Sequence, residues 1–301
     1  MDKSLNILIT GGTGFIGSYL TPILLQQGHF LTIVTRSPEK YKEDQASNQQ
    51  FITQDQISSK MSGMDVVINL AGESLFGSRW TDEVKKRIYE SRILLTRTLS
   101  EAMMEADKKP ALFISASAVG IYGDSGDNWL DETTSAGDDF LASVCADWEA
   151  EAVKAEAAGV RVAIPRIGIV LQDNGGMIDK MKLPFSLFAG GPIGSGEQYI
   201  PWIHMDDLCK ALIYPIENEK ISGPYNACSP DPATMNELAT AMGKVMNRPS
   251  FFRVPEFVLK AVLGEAAQPA LSSLRAQPKV LQLNDFQFEY ESLEGALGDI
   301  L

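Results

Sequence analysis

The chain has 301 residues, 45% of them apolar, and a formal net charge of −13 with a sequence pI near 4.7. That suffices for a full core in one large or two unequal domains, while the acidity argues against nucleic acid or an anionic membrane surface as the main partner. No apolar run approaches a membrane span, the N-terminal stretch is too short for a signal peptide, and Cys145, Cys209 and Cys228 have neither CxxC nor metal-ligand spacing, so the expectation is a cytoplasmic protein with reduced thiols and no metal.

Residues 5–10 read LNILIT, a short apolar run suited to a buried parallel strand, and TGGTGFIG follows over 10–17. Gly11 and Gly12 suit the positive φ of a tight strand-to-helix turn, Gly14 lets backbone approach a pyrophosphate, and Gly17 lets the helix pack closely on the strand. Thr13, Phe15 and Ile16 lie where the free N–H groups at the start of the helix would face phosphates. An apolar-periodic helix over 15–27 and a second strand over 30–35 supply the context that such a turn requires. The second strand ends in Thr35, Arg36 and Ser37 with no acid, where a dinucleotide site for NAD has Asp or Glu. A guanidinium there can bind a 2′-phosphate, so NADP(H) is favoured over NAD(H), unless Arg36 is only a solvated surface charge.

Further strand-like runs at 51–54, 66–71, 111–117 and 160–166 alternate with helical patterns at 58–63, 80–106 and 141–158. That rhythm predicts an α/β fold, a Rossmann-type doubly wound parallel sheet with its ligand at the carboxyl ends of the strands. Leu70, Ala71, Gly72 and Glu73 then end the fourth strand against the adenosine and pyrophosphate, and Asp55 is a candidate acceptor for the adenine amino group. Past residue 166 the rhythm breaks into Gly/Pro-rich segments at 173–176 and 189–198, with a helix expected over 234–246 and packed apolar stretches at 257–263 and 295–301. The expected division is an NADP(H)-binding Rossmann domain over 1–166, a smaller substrate lobe over 167–248 interleaved with it, and a C-terminal helical extension over 249–301.

TGGTGFIG, NLAGES at 69–74, FISASAVGIYGD at 113–124 and PWIHMDDL at 201–208 resemble the extended short-chain dehydrogenase/reductase superfamily, the nucleotide-sugar epimerase and dehydratase group. GESLFGSRW at 72–80, ESR at 90–92 and the C-terminal segment resemble its atypical branch, the "epimerase family protein" group. The resemblance implies a Ser, a Tyr-x-x-x-Lys pair and an Asn at the active site, and places Arg166, Ile167 and Gly168 beside the nicotinamide. Yet none of the tyrosines has a lysine four residues on. Overlaying the family pattern puts Leu141 at the Tyr position, Cys145 at the Lys position, Arg92 at the Asn position, and Ala118 at the Ser position with Ser117 just before it.

Leucine cannot exchange a proton, and Cys145 lacks the fixed positive charge that depresses a neighbouring acid. Candidate replacements are Ser117, Tyr122, Cys145, Glu73 and His204, with Arg92 as the positive charge. Each has a structural alternative: Tyr122 as an anchored packing aromatic, Cys145 as a small hydrophobe, Arg92 in an ion pair, His204 before a helix capped by Asp206. The expected function is an NADP(H)-dependent oxidoreductase with an unusual proton donor, acting on a small-molecule substrate. The alternatives are a non-catalytic NADPH sensor or partner-binding module and a true nucleotide-sugar epimerase. The helices bearing Arg92 and Cys145 match a common dimer surface of the superfamily, which implies a homodimer.

Overall fold

The computed structural model describes residues 4–41, 46–75 and 78–301. Phe76 and Gly77 of the GESLFGSRW motif lie outside the described residues. Seven strands form one parallel sheet: β1 (Asn6–Thr10), β2 (Phe30–Val34), β3 (Gln49–Ile52), β4 (Val66–Asn69), β5 (Leu112–Ser115), β6 (Arg161–Ile167) and β7 (Gly223–Ala227), in spatial order 7-6-5-4-1-2-3. After Ala116, Ser117–Ala118 resumes the line of β5 and pairs with Arg166 and Ile167. The order reverses between β1 and β4, the switch point where open α/β sheets bind ligands.

Alternation along the strands builds two layers. Ile7, Ile9, Ile68 and Ile114 face α1 (Gly17–Gln26) and α6 (Met205–Glu217), packing on Leu20, Leu24, Leu208 and Leu212. Leu8, Val67 and Phe113 face the other way, onto α2 (Ile57–Met61), α3 (Asp82–Glu105) and the end of α4 (Phe140–Val153). Each fully buried Leu or Ile contributes about 2 kcal/mol, so this strand pattern commits the sheet to helices on both sides. The seventh strand is not evident in the sequence because GPYNA is short and carries Gly and Pro, which an edge strand tolerates.

Helix ends follow local chemistry. Thr81 caps α3, whose first turn holds Asp82 and Glu83 against the positive end of the helix dipole. Thr234 and Glu237 form a capping box at the start of α7 (Met235–Met246). At α6 the cap is His204, whose Nδ1 accepts the Asp206 N–H at 3.2 Å, so the expected Asp206 cap is corrected.

A second core joins α5 (Gly176–Ser186), α7 and the last helix, Leu293–Ile300, around Trp202. The C-terminal segment is laced to the Rossmann half as well. Arg275–Ala276 pairs in parallel with Trp129–Leu130, Lys279 bridges Asp131 at 2.7 Å, and Ala266 packs on Trp80, Val84 and Ile88. No helix among the described residues is long and apolar enough to cross a membrane.

Candidate functional site

The turn after β1 is built around backbone contacts. Gly11 has φ +71°, and a Cβ there would lie 2.7 Å from the Leu70 carbonyl carbon. Gly17 is the first residue of α1, and a Cβ on it would lie 2.2 Å from the Gly11 oxygen and 2.5 Å from the Gly12 Cα. Gly12 differs from expectation: it has no positive φ and instead sits against the Ile33 Cγ2 methyl. The helix also starts at Gly17, later than residues 13–16, with Ile16 as a cap that offers no side-chain bond and no acid in the first turn. The N-terminus of α1 is therefore open to an anion, and a cradle walled by backbone leads up to it.

That turn opens onto a cleft of about 1690 Å³ along the carboxyl edge of the sheet. Thr13, Gly14, Phe15, Ile16 and Gly17 line it, with Arg36 and Ser37 at the end of β2 and Leu70, Ala71, Gly72 and Glu73 after β4. Arg36 is exposed, and among the described residues no carboxylate pairs with it. Lys40, one turn further on, lines the same end. Asp55 does not: it is exposed on the turn Gln54–Gln56, and its neighbours Thr53 and Gln54 reach the cleft instead.

In the middle of the cleft stand Ser117, Cys145 and Arg92, with Ile167 at the end of β6 and Gly168 just beyond it. Ser117 donates to Glu149 Oε1 at 2.7 Å, and Arg166 clasps both oxygens of Glu149 at 2.9 Å. Arg92 donates to the backbone oxygens of Ile88 and Glu73, both at 3.1 Å, and lies over the Trp148 ring at 5.3 Å. Burial lowers its pKa, with Cys145 and Glu73 acting in the opposite sense.

Three expected site residues are placed elsewhere. Tyr122 and Arg166 are buried behind the wall, where the Tyr122 hydroxyl donates to Asn226 Oδ1 at 2.8 Å and accepts from Arg166 at 3.0 Å. Burial pushes the phenol up to about 12 despite Arg166. A saturated hydroxyl with no cleft exposure is a structural anchor, and Arg166 is spent on Glu149. His204 is buried beneath the Tyr290 ring and away from the cleft.

Residues 7–228 match the NAD dependent epimerase/dehydratase family. The chain belongs to that family. Residues 254–300 match a second family, a domain of unknown function. The chain is 38% identical over 299 residues to the epimerase family protein YfhF of Bacillus subtilis, covering 99% of this chain and 98% of that one. It is 36% identical over 306 residues to the chloroplastic epimerase family protein SDR39U1 homolog of Arabidopsis thaliana, covering 100% and 88%. Among solved structures, human epimerase family protein SDR39U1 with NADPH superposes with a TM-score of 0.89 at 33% identity, covering 98% and 99%. UDP-glucuronic acid 4-epimerase of Bacillus cereus shares the fold at a TM-score of 0.79 and 18% identity, over 98% of each chain. The family assignment agrees with the parallel sheet, and the tail has a family match of its own.

The fold buries Cys145, and desolvation with Glu149 pushes its thiol up to about 12 in spite of Arg92. Burial does the same to Cys209, to about 12, and raises Cys228. Native protein is expected to resist iodoacetamide at pH 8 and to alkylate all three thiols only once unfolded; one fast native thiol would reveal an accessible thiolate. Because burial raises the Cys145 and Cys209 thiols from near 9 to about 12, their contribution to stability falls as pH rises through that window.

The cleft has walls that motif reading did not reach: Asp139, Tyr199, Gln268 and Leu274, besides Lys40. None belongs to a recognisable motif. Asp139 does carry the signature of a helix cap before an apolar run, but its contact with Gln268, at 2.8 Å, spans more than a hundred residues. Such pairs become visible only once the C-terminal segment is folded back on the sheet.

Proposed function

We propose that the protein is an NADP(H)-dependent oxidoreductase acting on a small-molecule substrate without a Tyr-x-x-x-Lys pair. The observation that carries this is the open N-terminus of α1, facing a cleft whose β2 end presents Arg36 and Lys40 and, among the described residues, no acid. The NADPH in the human relative supports it. Residues 11–17 would hold the pyrophosphate, Arg36, Ser37 and Lys40 the 2′-phosphate, and Leu70, Ala71, Gly72 and Glu73 the adenosine, with Ile167, Gly168 and Cys145 bordering the nicotinamide. When bound, the dinucleotide supplies or accepts a hydride.

Ser117 is the hydroxyl assigned to proton exchange. It lines the cleft and is oriented by Glu149, which Arg166 clasps; in carbonyl reduction it would pass its proton to the substrate oxygen as the hydride arrives and recover one from solvent. Arg92 supplies a fixed positive charge at the same wall. Calorimetric titration with NADPH and NADH tests the cofactor. Arg36→Ala is expected to weaken NADPH about 10- to 100-fold, as loss of a charge-assisted bond to phosphate would, and to leave NADH unchanged. Equal affinity of wild type for both nucleotides would refute the 2′-phosphate role of Arg36.

A second reading, a non-catalytic NADPH sensor, is favoured by one observation: the cleft thiol is held protonated and the Tyr122 phenol is buried. Turnover of NADPH on any carbonyl panel would reject it. Three free thiols support a cytoplasmic setting, and exposed Leu94 on α3 and Val153 on α4 support a homodimer through those helices.

A further inference from the structure

The charged groups of the cleft are unevenly placed. Its cationic side chains, among the described residues, are Arg36 and Lys40 at the nucleotide end and Arg92, which is bound to two backbone carbonyls. The far half is walled by the start of α4, by Tyr199–Ile200 and by the folded-back segment around Gln268 and Leu274. There the lining is Leu141, Ile200, Pro201, Met235 and Leu274, with Asp139, Tyr199 and Gln268 as the larger polar groups. These belong together: Leu274 N–H donates to the Tyr199 carbonyl at 3.0 Å, and Thr234, just before Met235, pairs with Tyr199. Arg275 packs on the Tyr199 ring, 4.6 Å from its centroid, and does not reach the cleft.

An anion entering this half would meet no cationic side chain among the described residues that line it. The helix terminus that faces it, that of α4, is already occupied by the Asp139 carboxylate, which accepts the Ala142 N–H at 2.9 Å. The uncapped start of α5 lies against the Phe15 ring, on the side of the glycine turn. Desolvating a diphosphate beside Asp139, without a cation, is opposed by the ordinary penalty for burying charge. Apolar walls with a few polar handles instead suit an uncharged organic molecule.

We infer that the far half of the cleft takes a neutral, largely apolar carbonyl compound and discriminates against phosphorylated sugars. This rests on the oxidoreductase reading for the carbonyl, while the charge argument stands on the cleft alone. The test is calorimetric titration of the full chain, with and without NADPH, using 4-phenylbut-3-en-2-one and UDP-glucose as probes. The expected result is that the ketone binds at least about tenfold more tightly than UDP-glucose, and that Gln268→Arg, which adds a phosphate-binding fork beside Asp139, narrows the gap by about tenfold. Tighter or equal binding of UDP-glucose to NADPH-loaded wild type, whose nucleotide end is occupied, or binding of neither probe, overturns the inference. Should Gln268→Arg fail to fold, the wild-type comparison decides alone. Failure of NADPH to bind would sink the oxidoreductase reading, yet the effect of Gln268→Arg on UDP-glucose affinity would still decide the charge argument, because that position lies in the far half.

Discussion

Gly17→Ala is expected to abolish NADPH binding and to destabilise the fold by about 3 kcal/mol, the upper range for overpacking. In an ordinary helix the same change would help, since alanine is about 1 kcal/mol better than glycine. Here the added carbon would lie 2.2 Å from the Gly11 oxygen and 2.5 Å from the Gly12 Cα. Both are backbone atoms, and Gly11 is itself fixed against the Leu70 carbonyl, so no flexible side chain can yield. The sterics outweigh the propensity, and the turn must open. Gly298→Ala in the last helix is the control: nothing lies within 4 Å of its Cβ position, and it should gain about 0.5 kcal/mol. Urea unfolding of the two variants beside calorimetry with NADPH checks both signs. Near-native stability and full NADPH affinity in Gly17→Ala would mean that the turn does not close on itself as described.

The parts legible in the sequence were those dictated by local chemistry. The strand runs at 5–10, 30–35 and 66–71 correspond to β1, β2 and β4 within two residues, because each is a short apolar stretch stopped by polar or glycine residues. The helix at 80–106 is trimmed at its start to the Thr81 cap, and the one at 141–158 gives way after Val153 to a tighter turn over Lys154–Ala158. The third strand lies two residues earlier than its apolar centre suggested, since Gln49 and Gln50 pair with β2 despite their polarity. Side chains whose partners lie far away in the sequence were not legible in it. Tyr122 looks like a cleft residue from its loop, yet Asn226, 104 positions away, captures its hydroxyl. Arg166 reads as a strand-end residue facing a ligand, yet Glu149 on α4 takes its guanidinium. The far wall of the cleft depends on residues 268–274, whose return to the sheet is set by packing on Trp80 and by pairing near Trp129.

Removing the guanidinium in Arg166→Met is expected to cost about 3–5 kcal/mol, the usual result of leaving one member of a buried ion pair alone. Glu149 would keep the Ser117 hydroxyl as a donor, but its second oxygen would lose the bond that Arg166 makes at 2.9 Å. The damage should extend past the pair. Arg166 also holds the Tyr122 hydroxyl, which bonds Asn226 on β7, and Asn226 donates from its side chain to the Gln277 carbonyl at 2.9 Å. Glu132 Oε1 completes the tie by accepting the N–H groups of Asn226 and Val280 at 2.9 and 3.1 Å. Hydrogen exchange is therefore expected to accelerate at the Asn226 and Val280 amides in Arg166→Met, ahead of those in β1 and β4. A double-mutant cycle with Glu149→Leu separates the pair from its surroundings. If the pair is buried and coupled as described, the double variant should be more stable than Arg166→Met alone, because no carboxylate is left uncompensated. Additive losses would instead mean that water reaches Glu149 freely. In that case Ser117 would face a solvated carboxylate, and the proton route assigned to it would have no enforced direction.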